Sequence, residues 1–493
     1  MIEAESLKSL RIKNLWFFRF KKFDASTYLI TNDIGKYAFL TSSEFNDFIQ
    51  WKIESWELHT QLVEKKFIKT ENYPSDMSLL YAKKNEFLAF WPTLHIIVTT
   101  LRCNHKCQYC HAAVAPMTAK EMDMTKQTAT KVVDTIFYTS APNLTIEFQW
   151  GESLVNWDIV KYVVEYAKVK AEYLKKNCTF ALVSNLTLMD DEKLQYILDH
   201  NIQVSTSLDG DEETHNFNRT FKDGNSFEKV TYWIKKINDE YVKRGIDTKV
   251  WALLTVTKKS LPKYKEIIDT YVALWLDGIF LRPLNPYGFA AAELEVLWYE
   301  TQEFIDFYTK SMDYILELNL QWVRFREHLS TMYLSKILTQ GDPNYLDERS
   351  PCGACIGQVA YNYDGKVYSC DEWRMLGRMG DQNFFMTELW DSGEQNYTDM
   401  MNSQTTRVMV TASTIDGLPW YNDSVYKPYI GVCPIHSYKT SGNIVPNFAK
   451  DHKKMLDFAV LDYIFTKLRD KKSEEIFRTW IGEKNIVPWD CSV

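Results

Sequence analysis

Cys103, Cys107 and Cys110 lie within eight residues in TTLRCNHKCQYCHAAV, directly after a short apolar run. An iron–sulfur cube is ordinarily closed by four thiolates, so three from one tight loop leave one iron open. An open iron binds a substrate or cofactor, whereas a closed cluster only passes electrons. The Cys-x3-Cys-x2-Cys spacing differs from the paired thiols of structural zinc sites. It also differs from the ferredoxin run, in which a further Cys follows three residues later. A zinc knuckle borrowing His105 or His111 is the alternative for this loop. Five more thiols lie downstream, at Cys352, Cys355, Cys370, Cys433 and Cys491. Cys178, at the start of an apolar run, reads as a buried bystander.

Elements must hold the first loop in place. From residue 94 onward, short apolar runs alternate with amphipathic segments, the pattern of parallel strands joined by crossover helices. The strands are predicted at LHIIVTT (94–100), LTIEFQ (144–149), TFALVS (179–184), IQVSTSL (202–208), KVWALLTV (249–256) and GIFLRP (278–283). TKQTATKVVDTIFYTS and FEKVTYWIKKINDEYVKR carry apolar residues at helical spacing between them. Six such units predict a full or partial barrel, in which chemistry sits at the C-terminal ends of the strands. The Cys-rich loop follows the first strand at that end.

Flanking text differs. Residues 1–90 hold two strand-like runs around a turn at Asn32 to Gly35, then helical text, which predicts a separate small α+β domain. The barrel is expected over 91–320, loop-and-hairpin material with CGACIGQVAYNYDGKVYSC over 321–445, and a helical tail over 446–493. At 493 residues two to four domains are expected. The formal net charge of −8, without a basic run, argues against nucleic acid as the main partner. Aromatic residues reach 15%, which serves large cores or a peptide groove. The N-terminus lacks an apolar signal region, and FLAFWPTLHIIVTTL is broken by Pro92 and His95 and is too short to span a bilayer. A cytoplasmic protein is the expectation, with cysteines that serve metals rather than disulfides.

Cys103, Cys107, Tyr109 and Cys110 together resemble the Cys-x3-Cys-x-aromatic-Cys signature of the radical S-adenosylmethionine (SAM) enzymes. FQWGES is similar to that family's Gly-Gly-Glu-Pro element, with Trp150 and Ser153 where the family has Gly and Pro. The resemblance implies that Glu152 accepts from the SAM ammonium and that Ser184 and Asn185 contact the ribose and carboxylate. SLDGDEETHNFNR resembles a further family run, which brings in Ser207, Asp209 and Arg219, with Arg219 forking onto the SAM carboxylate. Cys352, Cys355 and Cys370, with Cys433 from a distant loop, resemble the SPASM and twitch extensions. They imply one auxiliary [4Fe–4S] cluster beside the SAM-binding one, with a four-Cys zinc site as the alternative. Ile430 and Ala449 stand where a second auxiliary cluster would need cysteines, which leaves Cys491 spare or exchanging with Cys433. Asp371 matches an Asp that takes up a proton in sulfatase-maturating relatives.

FFRFKKFDASTYLITNDIGKYAFLTSSEF, FLRPLNPYGFA and CGACIGQVAYNYDGKVYSCDEWRML resemble the maturases of the His-Xaa-Ser peptide system and their cyclophane-forming kin. The fold this implies is α/β, a partial (β/α)6 TIM-type barrel with a winged-helix-like N-terminal domain and a SPASM/twitch domain. Also implied are a ribosomally made precursor peptide as substrate, its leader held by the N-terminal domain through strand addition to the edge of a sheet that includes Lys36 to Leu40, with a structural cap on the barrel as the alternative for that domain, and side-chain crosslinking. An electron donor such as flavodoxin or ferredoxin goes with that chemistry. Formylglycine formation on a sulfatase, and a peptide binder without catalysis, are the competing expectations.

Overall fold

The computed structural model describes residues 14–482 apart from 91, 286, 292, 340, 391 and 448–450. Fifteen strands are named in chain order. The first three, β1 (Phe18–Lys22), β2 (Thr27–Asn32) and β3 (Tyr37–Thr41), form an antiparallel meander of order β1-β2-β3. The expected turn between the last two closes through Gly35 N–H on the Asn32 carbonyl at 2.9 Å, with Gly35 at φ +85°. The following helix, Ser42–Gln50, starts on a capping box between Thr41 and Glu44. This unit has its own apolar core around Ile30, Leu40, Phe45, Phe48, Leu62 and Phe67.

The large sheet is built from β4 (Leu94–Ile97), β6 (Asn143–Phe148), β7 (Asn177–Ser184), β8 (Ile202–Ser207), β10 (Trp251–Thr255) and β11 (Gly278–Arg282). These are the six expected strands, parallel and in sequence order across the sheet. Helices at Lys126–Ile136 and Ser226–Lys243 cross over where periodicity predicts them, N-capped by Thr125 and Asn225. Four further short strands join this sheet. β12 (Arg326–Glu327) extends the sheet beside β11, while β13 (Gln358–Tyr361) pairs in parallel with β4. Beyond β13, β14 (Lys366–Tyr368) and β15 (Phe385–Glu388) turn antiparallel. The thiol-bearing hairpin therefore continues the barrel sheet, and with β12 and β15 as its two ends the sheet stays open. Among the described residues no helix is long and apolar enough to cross a membrane.

A separate ribbon joins β5 (His105–Cys107) to β9 (Arg219–Phe221), antiparallel, with Cys107 opposite Arg219. It fastens the Cys loop to the segment after β8.

Candidate active site

The loop after β4 is pinned on all sides before any ligand arrives. Arg102 grips Asp123 through Nε at 2.8 Å and Nη2 at 2.5 Å, and Thr100 Oγ1 donates to the same carboxylate. Cys103 N–H donates to Ala115 O at 3.0 Å and Cys110 N–H to Cys107 O at 3.2 Å. Gly151 sits at φ +63°, and a Cβ there would lie 2.2 Å from Thr100 O, so glycine is what allows the second strand's loop to approach. Trp150 is also left-handed, at φ 73°, and keeps the turn where the family uses glycine.

One cavity at the C-terminal ends of the strands is lined by Cys103, Cys107, Tyr109, Cys110, Glu152, Ser184, Asn185, Ser207, Arg219 and Asp371, all singled out from sequence. Glu152 is 1% exposed. Its Oε1 accepts from Ser184 Oγ at 2.7 Å and Leu154 N–H at 3.1 Å, and its Oε2 accepts from Asn185 N–H at 2.8 Å. Burial pushes its pKa up, and those donors oppose the rise. Asp209 stands behind the wall. It accepts from Tyr109 Oη at 2.5 Å and from Arg219 Nε at 3.0 Å. The guanidinium fork that the resemblance assigns to the SAM carboxylate is thus turned partly onto Asp209, and Nη1 of Arg219 reaches Cys107 Sγ at 3.8 Å.

Burial pushes the Cys103 and Cys110 thiols up and Cys107 to about 12, Arg219 opposing it at Cys107. Such thiols keep their protons until a metal displaces them. Among the described residues no three His, Cys, Asp or Glu side chains converge to hold a single metal ion. His105 Nε2 lies 3.5 Å from Ser226 Oγ and its ring meets Phe221 edge-on, while His111 lines the cavity beside the three cysteines. A cube suits the donor set better, because each thiolate binds its own iron. Three partly buried thiols around one cavity fit that group.

The second set is deeper. Cys352, Cys355, Cys370 and Cys433 are all buried. Burial first, then their anionic neighbours, push these thiols up: Glu372 and Cys352 act on Cys433, and Asp371, Glu372 and Cys352 act on Cys370. The four therefore share one electrostatic neighbourhood, which fits one auxiliary cluster. Cys491 and Ala449 lie outside the described residues. Cys178 sits in β7, partly buried and apart from both sets. Asp371 follows Cys370 at the start of the helix Asp371–Arg378 and faces the first cavity. Burial raises its pKa, with Arg282 and Arg374 pulling the other way.

Residues that sequence reasoning passed over also line the cavities. Arg282, Asn285 and Glu372 border both the first cavity and a second, more apolar one that reaches Cys433, Trp298 and Phe304. Tyr287, fully buried, turns a hydroxyl without a partner toward the first cavity. Arg282, Asn285 and Tyr287 all fall in FLRPLNPYGFA after the sixth strand, where the strand's C-terminal end was the available signal, and Glu372 directly follows Asp371.

Residues 97–269 match the family model of the Radical SAM superfamily. The chain is 22% identical over 363 residues to the radical SAM cyclopropyl synthase TigE of Paramaledivibacter caminithermalis, 69% of each chain. It is 25% identical over 335 residues to a cysteine-type anaerobic sulfatase-maturating enzyme of Clostridium novyi, 63% of this chain and 79% of that one. An uncharacterized protein of Methanocaldococcus jannaschii is 28% identical over 195 residues, and this chain spans 62% of its length. The solved structure of native anSMEcpe with bound AdoMet and Cp18Cys peptide superposes with a TM-score of 0.61 at 15% identity, over 78% of this chain and 100% of that one. At that identity the fold is what the two share.

Proposed function

Proceeding from a radical SAM domain at residues 97–269, which places this chain among the radical SAM enzymes, we propose that it oxidatively crosslinks side chains of a ribosomally made precursor peptide. The observation that carries this reading is the single cavity joining the three-thiol loop, Glu152, Arg219 and Asp371. Cys103, Cys107 and Cys110 would hold the SAM-binding cluster, and Cys352, Cys355, Cys370 and Cys433 an auxiliary one. When bound, cluster and SAM supply a 5'-deoxyadenosyl radical that takes a hydrogen atom from the peptide, and the auxiliary cluster supplies an electron sink.

The chain's own residues bind and orient. Glu152, buried and already holding three donors, presents remaining lone pairs to the SAM ammonium, with Ser184, Asn185 and Ser207 beside it. Arg219, backed by Asp209 and Tyr109, keeps positive charge at the cavity floor. Asp371 takes up the proton released when the new bond forms, a role suited by a carboxyl whose pKa lies above the usual range. Support for a peptide substrate comes from the Cp18Cys peptide bound by the similarly folded anSMEcpe and from the presence of a separate N-terminal unit with its own core.

The similarity to a sulfatase-maturating enzyme favours a second reading, formylglycine formation, which uses the same parts. Anaerobic reconstitution with SAM and reductant, followed by mass analysis of candidate peptides, separates the two. Crosslinking removes the mass of two hydrogen atoms, whereas cysteine oxidation to formylglycine removes two hydrogen atoms and also exchanges sulfur for oxygen. Absence of 5'-deoxyadenosine would sink both.

A further inference from the structure

Two buried guanidinium groups lack full sets of partners, and each lies beside a different thiol set. Arg374 is 1% exposed, and its Nε, Nη1 and Nη2 all lack a hydrogen-bond partner among the described residues. It lies one turn past Cys370 on the helix Asp371–Arg378. Its helix meets the Cys loop, where Arg378 Nε donates to Ala113 O at 3.4 Å and Met375 lines the first cavity with Cys110; Asp371 and Cys110 are the groups whose charge, once ionised, bears most on Arg374. The Trp150 ring lies 5.7 Å from its Cζ. Arg349 is 2% exposed, and its Nε and Nη2 lack partners while Nη1 donates to Asn344 Oδ1. Cys352 is its strongest anionic neighbour.

Burying a cation is costly unless an anion and hydrogen bonds answer it, and each unmade bond to a buried donor adds to that cost. Asp371 acts on Arg374 through space without forming an ion pair with it. Peptide substrate is a poor candidate too, because Arg374 is not among the residues that line the first cavity. What changes on metal loading is the charge of the thiols: protons leave and negative charge accumulates on sulfur beside this guanidinium. Burial lowers the Arg374 pKa only to about 10, so the group stays cationic at neutral pH.

We propose that Arg374 is the internal counter-cation of the cluster held by Cys103, Cys107 and Cys110, a positioning residue that donates into its sulfur shell and holds its reduction potential up. Arg349 stands in the same relation to the Cys352 set. Positive charge and N–H···S bonds favour the more negative, reduced state of a cluster. The helix that begins at Cys370 thus carries, one turn later, the group that tunes the other centre.

The inference rests on the radical SAM reading, and its test needs no peptide. Full-length protein is reconstituted anaerobically, its iron counted, and its clusters titrated potentiometrically by electron paramagnetic resonance. The signal that changes when SAM is added belongs to the three-thiol cluster. Arg374→Met is expected to shift the midpoint of that signal to lower potential at full iron content, Arg374→Lys to restore most of it, and Arg349→Met to leave it in place. Should Arg374→Met fail to fold, Arg374→Gln is held to the same criterion. A wild-type midpoint in either neutral variant overturns the proposal alone, whereas wild-type protein without a SAM-responsive signal overturns the radical SAM reading as well.

Discussion

Glu152 is held as an acceptor by three donors, and that arrangement makes its chemistry testable. In Glu152→Gln an amide N–H₂ must face Ser184 Oγ, Leu154 N–H or Asn185 N–H, all of which donate in the native site. One buried donor then loses its acceptor at a cost of about 1–3 kcal/mol, and the negative charge offered to the SAM ammonium is gone. The expected result is SAM binding at least about tenfold weaker by equilibrium dialysis, with iron content unchanged. Asp371→Asn separates proton uptake from radical formation: crosslinked peptide should fall about 10²- to 10⁴-fold, while 5'-deoxyadenosine release stays within a few-fold. If both products fall together, Asp371 serves SAM binding rather than the peptide. At this scale the Cys spacing was legible because ligand number dictates local sequence. Arg374 was not, since an isolated Arg in a helix has no pattern that separates burial from exposure until the helix is packed.

At the scale of elements, the six strands were legible because short apolar or alternating runs stand between amphipathic helical stretches. The ribbon of β5 and β9 was not, because three-residue strands carry no periodicity, yet it sets Cys107 opposite Arg219. Nor was the choice of β13 as the neighbour of β4, a long-range pairing that decides where the second thiol set sits relative to the first. His95 marks that seam. It pairs in register with Val359, its ring Nδ1 lies 3.3 Å from Tyr361 Oη, and burial pushes its pKa down to about 3 from 6.5. The folded protein keeps this ring neutral, whereas the unfolded chain takes a proton as pH falls below 6.5. Its contribution to stability is therefore complete above pH 6.5 and erodes toward pH 3, at about 1.4 kcal/mol per unit. Thermal melts should show wild type losing about 2 kcal/mol more than His95→Gln between pH 6.5 and 5. Parallel slopes would mean that the seam opens enough to hydrate the ring.

For the whole molecule, the question is how an N-terminal unit with no residue in the cavity affects what happens there. That unit docks on the segment leading to Cys433: Thr31 Oγ1 donates to Val425 O at 2.7 Å, Tyr429 Oη to Gly35 O at 3.1 Å and Lys84 Nζ to Pro428 O at 3.0 Å. Tyr37 meets Phe465 edge-on at 5.2 Å. Deleting the unit would strip this apolar contact from the remainder, so a point change on its free side is the cleaner probe. Among the described residues β1 pairs only with β2, and Phe17 beside it is 61% exposed, the geometry by which an extended peptide adds a strand. Phe17→Ala is expected to weaken binding of the leader peptide about tenfold by fluorescence anisotropy, as loss of an aromatic anchor does. SAM cleavage without peptide should be unaffected, because the docking contacts to residues 425–429 do not involve this side chain. Unchanged peptide affinity, for this variant and for one with Pro at Phe20, would leave the unit as a cap that braces the Cys433 segment and would move leader capture elsewhere on the chain.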